Sequence, residues 1–498
     1  MGKLTDKVAK GVFWVLLEKF GIQLAHFVVT LVLARLLTPN DYGTVALLSV
    51  FIAIANVLVD AGFGKALVQK KQATQTDYNT VFYLSMASAA ILYTVLFFCA
   101  PFVARFYDIA DLKIMLRVLA LSLIFHSING VQNVELNRKM LFHLSFRISW
   151  VRTIVSAVTG ISFALVGYGP WALVWASLFG GIAGVIARQL VIRWRPSLTF
   201  SWDSAKSLFR FGWKMTAASL MTTAYNNLYA LLIGKFYTRA DLAFVKKGSH
   251  IPRLFFNTAD GTIARVSFPA LARMQDDAVR MRRAMRRMIT CSTFVAFPVI
   301  TLFAMLAKPL ILLVYGEQWL PAAPFVVITG FALAFRPFDT INLQAINARG
   351  RSDIFLKLVI LRRVVGLVVM LTMLRIGIIP FMVASAVVYG PLGVIVNSLP
   401  NLKLLKYSIV MQAMDILPFA ALSGVLACVV ACIGLVPVDM RILVGPQVVA
   451  GLAVYLSLAV FFRVRPVAEF AGMLLPRVEK RSALLARPLK WLFRRCSK

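Results

Sequence analysis

One face of the first apolar stretch carries polar side chains that could bind an ion or a polar ligand. The stretch covers 11–43, and Lys19, Gln23, His26 and Thr30 recur along it at intervals of three or four residues. This spacing places the four side chains on one face of a helix whose other faces are apolar. Because unpaired polar groups are costly in hydrocarbon, that face must contact other helices or water. Lys19, Gln23 and His26 are therefore candidate ligand-binding residues.

Later apolar stretches also hold polar and charged side chains, which inside a membrane usually face a bundle interior or an aqueous cavity. The second stretch contains Asn56 and Asp60, one helical turn apart. The seventh and eighth stretches contain further polar faces, made of Ser219, Thr223 and Asn226, and of Arg253, Asn257 and Asp260. From these two stretches, Asn226, Arg253 and Asn257 join the candidate ligand-binding residues.

Asp60 and Asp260 are candidate ion-coupling residues. A lone carboxylate inside a span is costly in its charged form, so it suits reversible protonation. Arg253 lies two helical turns before Asp260 on the same face, so we expect Asp260 to be its permanently ionised partner. Asp60 has no cation within its own span and is the better candidate for a proton or sodium site. His26 is the alternative, because imidazole changes charge near neutral pH.

Each candidate also has a structural interpretation. Lys19 could form a local ion pair, His26 could be a hydrogen-bonded packing residue, and Asp60 could brace a helix end. Arg336 and Asp339, three residues apart, could pair with each other. The functional interpretation is favoured because polar faces recur in equivalent stretches of both halves of the chain.

Apolar runs of membrane-spanning length cover nearly the whole chain. Hydrophobic residues make up 60% of its 498 residues and charged residues 15%, which excludes an ordinary soluble protein. A spanning helix needs ~20 mostly apolar residues, and the pattern predicts an all-α integral membrane protein with about fourteen such helices. Their expected bounds are 11–37, 43–64, 81–104, 112–130, 147–167, 170–192, 211–234, 250–268, 288–307, 322–345, 355–375, 378–399, 415–435 and 441–462.

The net charge of +34 has a distribution that favours a membrane protein over a nucleic-acid-binding one. Lysine and arginine concentrate in every second connection and in the C-terminal tail. Cytoplasmic loops of membrane proteins carry this excess. The pattern therefore predicts that both termini are cytoplasmic, and it accounts for most of the charge without a nucleic-acid partner.

The two halves of the chain match when one is shifted by 200 to 210 residues. Thr38 and Asp41 then meet Thr238 and Asp241. Further matches keep their order: Ser49 with Ser249, Asp60 with Asp260, Gln75 with Gln275, Asp77 with Asp277, Pro101 with Pro309, Tyr107 with Tyr315, Asn137 with Asn347, Arg152 with Arg362, Gly167 with Gly377 and Pro170 with Pro380. Parallel repeats of this kind are a transporter architecture. We expect two six-helix lobes, at 1–200 and 201–405, followed by two helices and a basic cytoplasmic tail at 406–498.

No pattern of an enzyme is present in the sequence. It lacks a glycine-rich phosphate loop, a zinc-ligand spacing and a nucleophile elbow, and its five cysteines form neither a metal pattern nor a disulfide framework. We expect no catalytic residues, no metal and no cofactor. Because no nucleotide-binding domain is present, the expected driving force for transport is an ion gradient or the membrane potential.

Four segments resemble a known family. They are LARLLTPNDYG at 33–43, DAGFGKALVQ at 60–69, DYNTVF at 77–82 and GYGPWA at 167–172. These segments are similar to the colanic-acid-exporter and teichuronic-acid branch of polysaccharide translocases, within the multidrug/oligosaccharidyl-lipid/polysaccharide exporter superfamily.

The resemblance implies a bacterial inner-membrane flippase with two six-helix lobes around a central cavity. Its cargo would be an oligosaccharide repeat unit on undecaprenyl pyrophosphate, moved from the cytoplasmic to the periplasmic leaflet for exopolysaccharide or lipopolysaccharide synthesis. Membrane lipids, a polysaccharide polymerase and export machinery would be its partners. Relatives carry cavity cations on the first and second helices of each lobe, and by position Lys19 and Arg253 match that role.

Two other functions remain open at this point. A drug or cation antiporter of the same superfamily would have a cavity dominated by carboxylates. A membrane enzyme acting on lipid-linked sugars would have a long periplasmic loop carrying catalytic groups, and no connection predicted on that side is long enough.

Overall fold

The computed structural model describes residues 21–70, 73–139, 141–192, 195–479 and 492–493. Lys19 lies outside these residues. Every regular element in the described ranges is helical. The chain divides between Ala243 and Phe244 into two compact units.

The first unit is built from nine helices of the described ranges. In chain order they are α1 (Gly21–Leu36), α2 (Pro39–Asp60), α3 (Phe63–Gln69), α4 (Gln75–Tyr107), α5 (Leu112–Ala120), α6 (Ser122–Arg138), α7 (Phe142–Leu165), α8 (Trp171–Val191) and α9 (Trp202–Phe236). Helix α10 (Arg239–Ala272) begins in this unit and continues into the second.

After α10, the second unit continues with ten further helices and one 3₁₀ turn in the described ranges. The helices are α11 (Ala278–Met305), α12 (Ala307–Val314), a 3₁₀ turn (Glu317–Ala322), α13 (Ala323–Ala334), α14 (Arg336–Ala348), α15 (Ser352–Met373), α16 (Ile378–Tyr389), α17 (Pro391–Leu405), α18 (Ile409–Gly434), α19 (Met440–Phe461) and α20 (Arg465–Glu479).

The prediction of an all-α membrane protein is confirmed. Within the described residues, ten helical segments are long and apolar enough to cross a membrane, and α1 is a shorter apolar helix. The predicted spans 211–234 and 250–268 fall within α9 and α10, and 355–375 overlaps α15 except for its last two residues; these three helices are too polar to count among those ten. The number of fourteen spans therefore stays a prediction.

The two halves begin equivalent helices with the same hydrogen-bonded cap. At the start of α2, the amide and hydroxyl of Thr38 donate to Asp41 Oδ2, and the Asp41 amide donates back to the Thr38 hydroxyl. Thr238 and Asp241 form the same three hydrogen bonds at the start of α10. Because each cap satisfies backbone donors that a helix N-terminus leaves free, it fixes the first residues of the helix. The repeat thus extends from sequence to local geometry.

Two glycines allow close approaches of the backbone in the first unit. A Cβ atom at Gly43 would lie 1.9 Å from the carbonyl oxygen of Arg239. Gly62 has φ of +70°, which favours glycine, and a Cβ there would lie 2.3 Å from the carbonyl oxygen of Gly212. The turn after α2 is therefore pressed directly against α9.

The last long helices pack onto α11 within the second unit. Phe294 of α11, Phe419 of α18 and Tyr455 of α19 belong to one buried cluster. The Tyr455 hydroxyl donates a 3.0 Å hydrogen bond to the carbonyl oxygen of Phe294. This bond matters because a phenol buried among apolar groups needs a partner.

Candidate functional site

A cavity of about 470 Å³ lies inside the first unit. Its walls are formed mainly by α1, α7 and α8, and its lining combines apolar side chains with hydroxyl groups and two basic groups. The lining residues are Ile22, His26, Val29, Thr30, Leu33, Tyr42, Ser149, Arg152, Thr153, Ser156, Leu173, Ala176, Ser177 and Gly180. The volume lies within the range of ligand pockets, about 300–1,000 Å³.

The polar face of α1 contributes to this cavity. His26 and Thr30 line it, whereas Gln23 is half-buried and lies outside the lining set. The face reaches the cavity because α1 packs beside α7 and α8, where Leu33, Ala164 and Ala172 share an apolar cluster. Two of the four residues on the predicted polar face thus open into one site.

Arg152 is the cation that sequence reasoning did not place in a site. It lies on α7, is exposed at the cavity and forms no ion pair with any acidic residue that the structure describes. Ser149 and Ser156 line the cavity from the same helix. A guanidinium group can bind a phosphate or carboxylate with two parallel hydrogen bonds. Together with the hydroxyls, it could hold an anionic ligand that carries hydroxyl groups.

The repeat partner of Arg152 is Arg362, and its surroundings are different. Arg362 Nη1 lies 2.5 Å from Asp339 Oδ2, and Asn397 also donates to that carboxylate. The same 210-residue shift places Asn129 at the position of Asp339. The Asn129 Oδ1 atom is buried and has no hydrogen-bond partner within the described ranges. The second unit therefore neutralises its arginine, whereas the first unit has an uncharged amide where the acid would be.

The two candidate coupling carboxylates each contact a base on another helix. His126 Nε2, on α6, lies 3.0 Å from Asp60 Oδ1. Arg336 Nε, on α14, lies 3.7 Å from Asp260 Oδ2, and the Thr340 hydroxyl donates to Asp260 Oδ1.

The contact of Asp260 corrects an expectation, because its ion pair is with Arg336, where Arg253 was expected. Asp339 forms an ion pair with Arg362 of α15. The sequence shows spacing only along one helix, whereas both carboxylates reach cations on neighbouring helices.

The remaining candidates occupy α9 and α10. Asn226 is exposed on α9 and is not among the residues lining the cavity. Arg253 is exposed on α10, and Asn257 lies one turn further along that helix. Their role as ligand contacts stays a prediction.

The chain matches the model of a protein family described as "Polysaccharide biosynthesis protein" over residues 32–324. It is 23% identical to the teichuronic acid biosynthesis protein TuaB of Bacillus subtilis (strain 168) over 359 residues, which cover 71% of this chain and 74% of that protein. It is 24% identical to the lipopolysaccharide biosynthesis protein WzxC of Escherichia coli (strain K12), covering 71% and 72%. It is also 24% identical to the succinoglycan biosynthesis transport protein ExoT of Rhizobium meliloti (strain 1021), covering 64% of each chain.

Two solved structures share the fold. The lipid II flippase MurJ, in an inward closed conformation, aligns with a TM-score of 0.70 at 13% identity, covering 91% of this chain and 99% of that one. An inward-facing multidrug resistance transporter of the MATE family, in the MOP superfamily, aligns with a TM-score of 0.58 at 14% identity, covering 80% and 96%. At these identities the likeness concerns the fold alone.

Proposed function

The chain belongs to the polysaccharide biosynthesis protein family, and from that membership we propose that it is a transporter that flips lipid-linked oligosaccharides across a membrane. Relatives named for the synthesis or transport of teichuronic acid, lipopolysaccharide and succinoglycan align over 64% to 71% of the chain. The cargo we propose is an oligosaccharide repeat unit on undecaprenyl pyrophosphate, moved from the cytoplasmic to the periplasmic leaflet of the bacterial inner membrane. Its products are exopolysaccharide or lipopolysaccharide.

The structural observation that supports this proposal is the cavity with Arg152, which no acidic residue of the described ranges neutralises. A pyrophosphate cannot cross hydrocarbon unaided, because an ion loses its hydration there. A cation in a site of low dielectric offsets that loss through Coulomb attraction and charge-assisted hydrogen bonds. Arg152 supplies the charge, while Ser149, Ser156 and Thr30 supply partners for sugar hydroxyls.

Further residues belong to the proposal, and of these His26 also lines the cavity. Lys19, Gln23, His26, Asn226, Arg253 and Asn257 are the proposed substrate contacts, as polar residues on helices of both halves. Asp60 and Asp260 are the proposed ion-coupling residues, and an ion gradient would reset the empty carrier. Membrane lipids, a polysaccharide polymerase and export machinery are the proposed partners.

A drug or cation antiporter is the second candidate function, since the MATE transporter shares the fold. The cavity weighs against it. Its lining, as far as the described residues form it, includes Arg152 and His26 but neither aspartate nor glutamate. A site that binds cations needs negative charge, whereas this lining offers positive charge and hydroxyl groups.

The test is a flipping assay in proteoliposomes loaded with a fluorescent oligosaccharide on undecaprenyl pyrophosphate. Arg152→Ala should lower the flipping rate at least about tenfold, because one lost charge-assisted contact is worth roughly 1.5–3 kcal/mol. Arg152→Lys should retain part of the rate, because lysine keeps the charge and loses the bidentate geometry. Lys19→Ala and Arg253→Ala are tested in the same assay and should also lower the rate.

Arg147→Ala is the matched control, because Arg147 is an exposed arginine on the same helix that does not line the cavity. It should flip at the wild-type rate. Wild-type rates in Arg152→Ala would contradict the proposed site. A wild-type protein that moves organic cations and leaves the lipid-linked sugar in place would contradict the proposed function.

A further inference from the structure

Two pairs of an acidic and a basic side chain occupy equivalent places in the two halves of the chain. Asp60, at the end of α2, pairs with His126 of α6, and Asp260 of α10 pairs with Arg336 of α14. Asp60 and Asp260 are 200 residues apart, and His126 and Arg336 are 210 apart. The shift between the halves grows by the same ten residues before Asn137 meets Asn347. In each half, equivalent helices are therefore joined by an aspartate and a basic side chain at equivalent positions.

The base of the pair differs between the halves, and we infer that His126 is a proton-binding site that makes the α2–α6 contact proton-dependent. Arginine keeps its charge throughout the physiological range, whereas histidine changes its charge between about pH 5 and 8. A protonated imidazole forms a charge-assisted hydrogen bond with Asp60, and the neutral ring forms only an ordinary one. The contact between α10 and α14 keeps its charge over the same range.

A second difference between the halves leaves Asp60 with His126 as its partner, whereas Asp260 has an additional one. Asp260 also accepts a hydrogen bond from the Thr340 hydroxyl. The 210-residue shift places Gly130 at that position, and the space around a Cβ atom there is empty to 4 Å. Among the described residues, His126 is the only partner of the Asp60 side chain. When the imidazole loses its proton, no other donor replaces it.

The protein itself does not enclose the pair. The side chains are 39% exposed for His126 and 59% exposed for Asp60. The predicted topology places this end of α2 towards the cytoplasm. The pair would then respond to protons on that side of the membrane.

Apart from His143 of α7, which the control variant His143→Arg replaces, the other charged groups on the packed helices are lysines, arginines and carboxylates, types that ordinarily keep their charge between about pH 5 and 8. Beside the turn after α2, Arg210 and Lys214 flank Gly212 of α9, and α3 carries Lys65. On α4, Tyr83 lies one turn before Met86, which Ser127 contacts. Elsewhere Arg117 of α5 donates to the carbonyl of Phe97, Arg188 of α8 donates to Asn133, and Arg152 of α7 lines the cavity. Lysine, arginine and tyrosine keep their charge state near neutral pH.

The pair of Asp60 and His126 lies at the end of α2, so a weaker contact between the two side chains would free that end to move. Asp60 is the last residue of α2 and is followed by Ala61 and Gly62, both with positive φ. Gly62 packs against Gly212 of α9, so the turn after α2 contacts α9 next to the pair that joins α2 to α6. The inference that His126 binds a proton depends only on the comparison of the two pairs. A role of that proton in transport depends on the proposed function.

The experiment is hydrogen exchange of the purified full chain in lipid nanodiscs, followed by mass spectrometry at about pH 5.5 and 7.5. After correction for intrinsic exchange chemistry, amides at the end of α2 and the start of α6 should exchange about two- to fivefold faster at the higher pH, the range expected for losing an exposed ion pair. Peptides of α10 and α14 around Asp260 and Arg336 should show no such change.

Exchanging the bases between the halves tests the cause. His126→Arg installs the residue that the chain itself uses at the equivalent position, and it should abolish the pH response of the first unit. Arg336→His should create one in the second unit. His143→Arg, a histidine of α7 outside the pair, is the control and should leave the response unchanged.

A pH response that persists unchanged in His126→Arg, or in Asp60→Asn, would overturn the inference. Equal responses of both units in the wild type would overturn it too. Because no substrate is present, this result does not depend on the flipping assay. A chain that shows the response but does not flip lipid-linked sugar would contradict the proposed function and leave the proton site intact.

Discussion

At the residue scale, one face of a single helix accounts for the chemical difference between the two halves. His126, Asn129 and Gly130 on α6 correspond to Arg336, Asp339 and Thr340 on α14. The spacing of these positions places them on one face. On α14 that face neutralises Arg362 and secures Asp260. On α6 it leaves Arg152 charged and gives Asp60 a titratable partner.

Asn129→Asp tests this residue-scale account. The substitution installs the acid that the second unit uses, so it should neutralise Arg152 while Arg152 stays in place. We expect flipping of the fluorescent lipid-linked sugar to fall at least about tenfold, because a paired guanidinium is a weaker anion ligand.

Asn129→Ala is the control for that experiment, because it changes the side chain without adding a charge. It should retain most of the activity. The Asn129→Asp variant could transport the lipid-linked sugar at the wild-type rate while Arg152→Ala does not. In that case Asn129 does not occupy, relative to Arg152, the position that Asp339 occupies relative to Arg362.

The sequence could identify the polar residues but not their partners. The helical period makes Arg253 and Asp260, or Arg336 and Asp339, visible as neighbours on one helix. The ion pairs found in the structure join α10 to α14 and α14 to α15 instead. Arg152 was matched to Arg362 by the repeat. Its place in a cavity could not be seen, because a cavity is formed by how α1, α7 and α8 pack.

At the element scale, buried polar side chains join helices of the second unit. Asp339 on α14 binds Arg362 on α15 and Asn397 on α17. One turn along α14, Asn342 receives a 2.8 Å hydrogen bond from Asn401 and donates a 3.0 Å bond to Gln412 on α18. Polar groups inside a membrane protein are costly unless they are paired in this way.

Asp339→Leu should destabilise the protein by about 3–5 kcal/mol, because it leaves the largely buried Arg362 without its counter-charge. The double variant Asp339→Leu/Arg362→Leu should recover most of that loss, since an apolar pair of similar volume suits the site. The measurement is the free energy of unfolding in detergent, compared around the double-mutant cycle. Equal destabilisation by the single and double variants would mean that the pair is not coupled.

The sequence predicted where helices form, but it did not predict where a helix is broken. The repeat, more than hydropathy, indicated the helix around 250–268, and α10 covers that range. The matched prolines Pro101 and Pro309 have different consequences. Helix α4 continues through Pro101, whereas its counterpart breaks at Leu306 between α11 and α12. Packing decides whether a proline kinks or ends a helix, and packing is not visible in the sequence.

At the scale of the whole molecule, hydrogen bonds within each unit join connections that are predicted to lie on the same side of the membrane. In the first unit, Arg138 donates to the carbonyl of Leu67, and Gln75 donates to that of Arg195. In the second, Arg349 donates to the carbonyl of Gln275, and Arg282 donates to that of Lys406. All of these lie in connections predicted to be cytoplasmic.

Connections predicted to be periplasmic also lie beside one another within each unit. A Cβ atom at Gly169 would lie 3.2 Å from Asp41 Oδ1. Arg441, two residues after Asp439, lies 3.0 Å from Glu317. These contacts support the prediction that successive helices cross the membrane in opposite directions. The direction of the path follows from the basic residues, which favour the cytoplasmic side.

Cysteine labelling tests that direction. In a variant whose five native cysteines are replaced, single cysteines at Asp41, Gly169, Glu317 and Asp439 should react with a membrane-impermeant maleimide in intact cells. Cysteines at Asp276 and Lys406 should react only after permeabilisation, because their connections carry the basic residues that stay in the cytoplasm. Within each unit the neighbouring sites must agree, since Asp41 lies beside Gly169 and Glu317 contacts Arg441. If two of the four sites react only after permeabilisation, the orientation is wrong, and if those two are Asp41 and Gly169, the proton site at His126 would face the periplasm.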